Sequence, residues 1–426
     1  MPKNILHHFP FNHRPYIFLL FAQAISNLGD FLYLIALYTV IGERWSLTPA
    51  VATVTLLCMV VPNIIFGFFA GNVSDKLIER KKVMVAADIV RCFIVFSVIL
   101  TSELWQLFSL IILENVAASF FEPAKSGKLK EIVDNTSIQQ AVSYSEMVNN
   151  AAKIVGPILG GILVSWIGSA WIFILDALSF ILSALLLTGL PKQVSNDVRT
   201  SLRKTDKKDI AAVLRNFFSG LSLIRRSKHI FMGLLIVSAV MLVLQISDSQ
   251  AIILLSRIPS YSANLFGLCL AGSGFGMLIS SFILGRKKSG EKFITLLVSP
   301  ILLGGGLILS GLLLHLPGVL IYLLYPVIFF ICGFSFSMAV IPFNVLTQKN
   351  ITVDHTGTVF GTINSVVNAA IITGIAIGGI MAQFLGVVPT FLTSGIALIV
   401  MSMVNIALKK LIFGGVGIAQ SDKRTF

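Results

Sequence analysis

The chain has 426 residues, of which 56% are apolar; glycine raises that share to about 64% and only 12% carry charge, against roughly 45–50% and 25% in a soluble domain. About 239 apolar residues suffice for roughly twelve segments of twenty, the length that spans a bilayer's hydrocarbon core, which excludes a soluble enzyme, a disordered chain and a single-pass anchor. The net charge of +13 lies in short Lys/Arg runs between apolar blocks, as topology signals do, and not in the patches of a nucleic-acid binder.

Apolar blocks bounded by charges, Pro or Gly predict twelve spans, near 15–40, 50–72, 83–101, 104–121, 141–166, 168–190, 230–256, 262–285, 293–314, 319–345, 357–385 and 387–408. They are helices, because a β-barrel needs short alternating segments. The expected fold is an all-α polytopic membrane protein, with two pseudo-symmetric six-helix bundles over 1–190 and 230–426. Met1–Arg14 is polar and His-rich, so no cleavable signal is expected. Of the 32 Lys and Arg residues, 28 fall on one side of the spans, and only Arg44 and Arg257 on the other. The positive-inside rule puts both termini and the long 191–229 segment in the cytoplasm of a multi-pass cell-membrane protein.

That segment is basic from Lys192 to Asp209, then amphipathic through Val213, Leu214, Phe217, Phe218, Leu221 and Ile224. It reads either as a short helix on the inner leaflet or as a tether whose charges fix topology. Cys58, Cys92, Cys269 and Cys332 lie far apart inside apolar segments. They suggest small buried residues and give no metal spacing; no cofactor is expected.

The halves repeat. Asn150-Ala151-Ala152, Gly156 and Gly160-Gly161 recur as Asn368-Ala369-Ala370, Gly374 and Gly378-Gly379, at a constant offset of 218. Pro123 and Pro342 are read as opening corresponding loops. Like-oriented repeats are a transporter signature, with the substrate path between them near mid-membrane. The four-residue Gly spacing also suits close helix packing.

Gly71-Asn72-Val73-Ser74-Asp75-Lys76, followed by Glu79-Arg80-Lys81-Lys82, resembles the Gly-x-x-x-Asp-Arg/Lys-x-Gly-Arg-Lys loop of the major facilitator superfamily, with Glu79 in place of the second glycine. Gly156-Pro157-Ile158-Leu159-Gly160-Gly161 is similar to the end of that superfamily's antiporter motif. Leu28-Gly29-Asp30 and Phe121-Glu122-Pro123-Ala124-Lys125-Ser126-Gly127-Lys128 resemble the branch of macrolide-type drug exporters and the enterobactin exporter. Lysophospholipid transporters share a similar Pro-Ala-Lys-x-Gly segment. The resemblance implies a major facilitator fold and alternating access, with small amphipathic substrates, protons and lipid as partners of a monomer. It implies proton-coupled drug efflux, or alternatively lysophospholipid transport. The fourth span lacks the Arg of many drug:proton antiporters and holds Glu114-Asn115 nearby.

Ionisable groups inside spans cost several kcal/mol unless paired or wet, so they are the site candidates. Asp30 is the first choice as proton carrier, or else an ionised cap. Glu146 is the second, unless Lys153 two turns on neutralises it. Asp248 is the third, or else a solvated rim residue. Gln23 and Asn27 share a face with Asp30; with Asn150, Lys153, Gln245, Asn364 and Asn368 they are expected to line the cavity that the resemblance places between the first, fifth, seventh and eleventh spans. Gly71, Asp75, Arg80 and Lys81 form the expected switch loop, with Asp88 and Arg91 as its partners. Gly156, Pro157, Gly160 and Gly161 form a kinked packing helix. No HExxH, GxSxG or Walker sequence is present, so no enzyme is expected.

Overall fold

The computed structural model describes residues 14–76, 80–133, 137–191, 210–258, 263–286, 289–351 and 356–407. The first half comprises α1 (Arg14–Arg44), α2 (Pro49–Lys76), α3 (Arg80–Val98), α4 (Leu104–Ile132), α5 (Ile138–Ile167) and α6 (Ser169–Thr188). The amphipathic segment forms α7 (Ile210–Arg226). The second half comprises α8 (Lys228–Asp248) with a short continuation α9 (Ala251–Ser256), then α10 (Ala263–Arg286), α11 (Ser289–Leu312), α12 (Gly318–Asn350), α13 (Thr356–Phe384) and α14 (Val387–Ala407). No strand occurs among the described residues.

Among the described residues, eleven helical segments are long and apolar enough to cross a membrane. The twelfth expected span, α3, is not among them, because Lys81, Lys82, Asp88 and Arg91 lower its hydropathy. Its packing resolves the difference. Asp88 and Arg91 are buried, with Met84, Ala87, Val95 and Val98, against α4 and α6. Beyond the first turn, where Lys82 is exposed, the opposite face, Ile89, Val90, Phe93 and Phe96, is exposed and apolar. Charge lies on the side that protein covers, and hydrocarbon on the side left for lipid.

Two boundaries differ from expectation. Pro123 lies inside α4 and Pro342 inside α12, so neither opens a loop. A helical proline forfeits one hydrogen bond and bends the axis. The turns beyond Pro123 are held by the i,i+3 ion pairs Lys125–Glu122 at 2.6 Å and Lys128–Glu131 at 2.9 Å.

The repeat is visible in backbone detail. Gly168 joins α5 to α6 at φ +83°, and Gly386, 218 residues later, joins α13 to α14 at φ +90°. Both are left-handed positions that glycine alone adopts freely. The glycines of α5 and α13 are also used alike. Gly156 and Gly160 lie on α1, against Phe31 and Ile35, and Gly374 and Gly378 lie on α8, against Leu242 and Ile246. The third glycine of each set touches the other half: Gly161 meets Ala263 and Asn264 of α10, and Gly379 meets Thr53 of α2.

The halves meet along α5–α10 and α2–α13. Their contacts cluster at the end bearing the short connections. Gln250 donates to Thr53 Oγ1 at 2.9 Å, and the Tyr38 and Phe266 rings meet edge-on at 6.0 Å. Toward the basic-loop end, the α5 face that packs on α10 continues into exposed Glu146 and Met147, the latter 64% exposed. The interface therefore parts there: the molecule is closed at the short-loop end and open at the basic end.

Candidate functional site

Midway along α1, Asp30 faces α3. Its Oδ1 accepts from Arg91 Nη2 at 2.5 Å. The same guanidinium reaches Glu114 of α4, with Nη2 at 2.6 Å and Nε at 2.8 Å from Oε1. Phe180 of α6 places its ring 4.1 Å from the guanidinium carbon, a cation–π contact on the remaining face. Arg91 is thus held by four helices, and its side chain is 8% exposed. Asp30 differs: its side chain is 37% exposed, so one buried cation is joined to an acid that the protein only partly covers.

Two further acids surround this pair. Asp176 of α6 is 1% exposed; its Oδ1 accepts from Ser179 at 3.3 Å and its Oδ2 has no hydrogen-bond partner. Asp88 is fully buried; its Oδ2 accepts from Ser183 at 2.6 Å and its Oδ1 has no partner. One guanidinium therefore faces four carboxyl groups. Gly29 makes room for this arrangement, because a Cβ there would lie 2.2 Å from Asp176 Oδ1 and 2.3 Å from Ser179 Oγ.

This corrects the reading of Asp88 and Arg91 as partners of the Asp75 loop. Arg91 lies eleven residues beyond the start of α3, roughly 16 Å along the axis, and its bonds run to Asp30 and Glu114. The backbone of Gly71 and Asp75 belongs to the last turns of α2, but their side chains lie outside the described residues. Arg80 and Lys81 bind within the first half. Arg80 donates to the Gly127 carbonyl at 3.0 Å and pairs with Glu131 at 2.9 Å. Lys81 donates to the Thr188 carbonyl and, at 2.7 Å, to that of Leu190. Lys128 reaches the Pro191 carbonyl at 3.0 Å, so cations cover the carbonyl end of α6.

The remaining candidates divide by environment. Gln23 is buried in the α1–α5 seam, donating to the Ser145 carbonyl at 3.2 Å. Asn27, Asn150, Lys153, Gln245 and Asn368 are half-buried, and Asn364 is exposed. Glu146 is exposed, and among the described residues it forms no ion pair with Lys153. Pro157 lies inside α5, and its carbonyl is where a Cβ on Gly267 of α10 would fall, 2.1 Å away.

Asp248 ends α8 and is exposed, within electrostatic reach of Tyr38 and Cys332. The glycine contacts fix its relation to Asp30. Leu28, Phe31, Leu32 and Ile35 on α1 correspond to Leu242, Gln245, Ile246 and Ser249 on α8. By that register Asp248 corresponds to Leu34, one turn nearer the short-loop end than Asp30.

Sequence reasoning left Glu114 and Asp176 without a role and missed the pair Asn63–Asn115, at 2.7 Å between α2 and α4. The available signal was the stripe 84-87-88-91-95-98 on α3, which puts its charges on the packing face. A cavity of about 310 Å³ lined by Ser97, Thr101, Trp105 and Gln106 lies at the short-loop end, away from the acids.

A bundle of two like halves that touch at one end, with a partly exposed acid inside one of them, is compatible with a carrier. The sequence profile described as Major Facilitator Superfamily matches residues 19–375. The chain belongs to that superfamily. It is 36% identical over 405 residues to an uncharacterised MFS-type transporter, YfiS, of Bacillus subtilis (strain 168), covering 94% of each chain. Macrolide efflux protein A of Streptococcus pyogenes is 23% identical over 396 residues, 90% of this chain and 93% of the relative. The lysophospholipid transporter LplT of Serratia proteamaculans (strain 568) is 28% identical over 167 residues, 37% of this chain and 38% of the relative. The crystal structure of the nucleoside transporter NupG has the same fold, with a TM-score of 0.68 at 14% identity over 93% of this chain and 99% of that one. The protein is therefore a multi-pass transporter of the Major Facilitator Superfamily, the family that its Gly71–Lys82 and Gly156–Gly161 segments resemble.

Proposed function

We propose that this transporter exports small amphipathic organic compounds across the cell membrane in exchange for protons. Asp30 exchanges the proton, and the basic end, with both termini, faces the cytoplasm. The observation that carries the reading is the Asp30–Arg91 pair. It joins a partly exposed carboxyl to a cation locked among α1, α3, α4 and α6. Protonating such an acid breaks one of the two ion pairs of Arg91 and leaves the buried guanidinium on Glu114 alone, which changes the charge balance inside one half. That is enough to bias a two-state rocking of the halves. The half-exposed Asp30, the half-buried Asn27 and Asn150, and the exposed Met147 suit an amphipathic ligand. The likeness to macrolide efflux protein A supports an organic, drug-like substrate.

One observation favours a second reading. Lys153 is half-buried on α5, without an ion-pair partner among the described residues, where a lipid phosphate would neutralise it. The test is transport in proteoliposomes with and without an imposed pH gradient, using a labelled macrolide in one series and a labelled lysophospholipid in the other. Gradient-driven macrolide accumulation by wild type, abolished in Asp30→Asn with binding retained, is expected. Equal accumulation by the variant would remove Asp30 from the scheme. Gradient-independent lysolipid movement by wild type would establish the second reading.

A further inference from the structure

The acids around Arg91 are not equivalent, and their differences point to a path. Asp30 is partly exposed and paired, whereas Asp176 is buried and has no cation within ion-pair distance. The charged and titratable groups facing Asp176 come from every neighbouring helix. They are Asp30 and Tyr33 of α1, Asp88, Arg91 and Cys92 of α3, and Glu114 of α4. The single cation among them is already taken by Asp30 and Glu114. A carboxylate placed there would be buried, unpaired and surrounded by like charge, the situation that a bound proton relieves.

We infer that Asp176 is the buried proton-holding site of the transporter and that Asp30 is its solvent-facing exchange partner. The two are linked across Gly29, where the missing side chain lets the Asp176 carboxyl lie against the turn of α1 that bears Asp30. In the state described here, Asp30 is ionised on Arg91 and Asp176 carries the proton on a carboxyl oxygen. The step breaks the O–H bond at Asp176 and forms one at Asp30. The negative charge passes the other way, and the guanidinium turns from Asp30 to Asp176 while keeping Glu114. Proton and charge are conserved without a co-reactant, and Asp30 then releases the proton to the open end. Ser179 Oγ holds the Asp176 carboxyl, and Glu114 holds the guanidinium that pairs with Asp30.

The inference rests on the proton-coupled reading, and its test is separable from it. Infrared difference spectroscopy of the full-length protein at neutral pH reads protonated carboxyls directly, because their C=O stretch is well resolved from carboxylate bands. Wild type is expected to show a protonated-carboxyl component that is lost in Asp176→Asn and displaced, not lost, in Asp30→Asn. Asp88→Asn controls for the other unpaired acid and is expected to leave that component in place. Ser179→Ala keeps the carboxyl and removes its hydrogen-bond donor, so it shifts the same component even if Asp176→Asn fails to fold. A spectrum unaltered by Asp176→Asn, or by Ser179→Ala when the first variant cannot be prepared, overturns the assignment. Gradient-driven transport that survives in Asp30→Asn removes Asp30 as the exchange partner, whereas wild-type transport that ignores the pH gradient overturns the proton-coupled reading itself.

Discussion

Gly161 lies where the halves touch at the closed end, and adding one methyl group there is a direct test of how the interface works. A Cβ at this position would stand 2.8 Å from Asn264 Cα and 2.9 Å from the Ala263 carbonyl oxygen. Both obstacles are backbone, so no side chain can rotate away, and α5 and α10 must separate by several tenths of an ångström. Overpacking of this kind costs about 1–3 kcal/mol. The cost falls only on the state in which these helices touch, so Gly161→Ala shifts the equilibrium roughly 5–150-fold toward opening at the short-loop end. Gly379→Ala acts on the equivalent contact with smaller effect, because its obstacle is the Thr53 side chain. The assay is pulsed electron spin resonance in nanodiscs. Labels go at Ser46→Cys in the first half and Val319→Cys in the second, with the four native cysteines replaced. The variant is expected to gain a population at longer distance; Gly361→Ala, with nothing within 4 Å of its Cβ, is expected to gain none. Unchanged distances in Gly161→Ala together with a lower melting temperature would refute the reasoning, since the contact would then support both states equally.

Replacing Arg91 by Met leaves Asp30 and Glu114 without their cation, and the apparent melting temperature in detergent should fall by the equivalent of about 3–5 kcal/mol. The double change Arg91→Met with Glu114→Gln should recover part of that loss. Gly276→Ala would bring a Cβ to 2.1 Å from the Phe330 carbonyl oxygen of α12, so it should destabilise the second half by at least about 1–3 kcal/mol, read by the same thermal scan. Gly220→Leu should lift α7 off α13, where Gly220 lies against Thr362 and the Thr358 carbonyl, and should speed proteolysis of the 191–229 segment severalfold.

What the sequence disclosed and what it withheld have separate physical origins. Membrane spans announce themselves because length and apolarity are local, and the glycine repeat does so because close helix approach demands the same small residue in both halves. Asp30 stood out because an acid inside a span is costly wherever it points. Its partner did not, because partnership across helices depends on azimuth. Arg91 was assigned to a nearby basic loop, while the helix turns it inward, toward residues 61 positions before it and 23 after. The amphipathic segment was legible as a helix, but not its seat: buried Ile224 and Gly220 dock its end on α13. The offset of 218 that aligns α5 with α13 also pairs Asp30 with Asp248, whereas the contacts of α1 and α8 put these acids one turn apart.

The division of α3 into a charged inner face and a hydrocarbon outer face bears on how the chain is made. Arg or Asp at the centre of a lone helix raises the free energy of insertion by about 2.5–3.5 kcal/mol each, so α3 is a poor candidate for leaving the translocon by itself. The acids that compensate Arg91 arrive on α1, synthesised earlier, and on α4, synthesised immediately afterward. The ion pairs of Arg91 are therefore complete only once α4 has joined α1 and α3. A substitution at Asp30 or Glu114 can consequently lower the yield of inserted protein before it has any opportunity to alter transport.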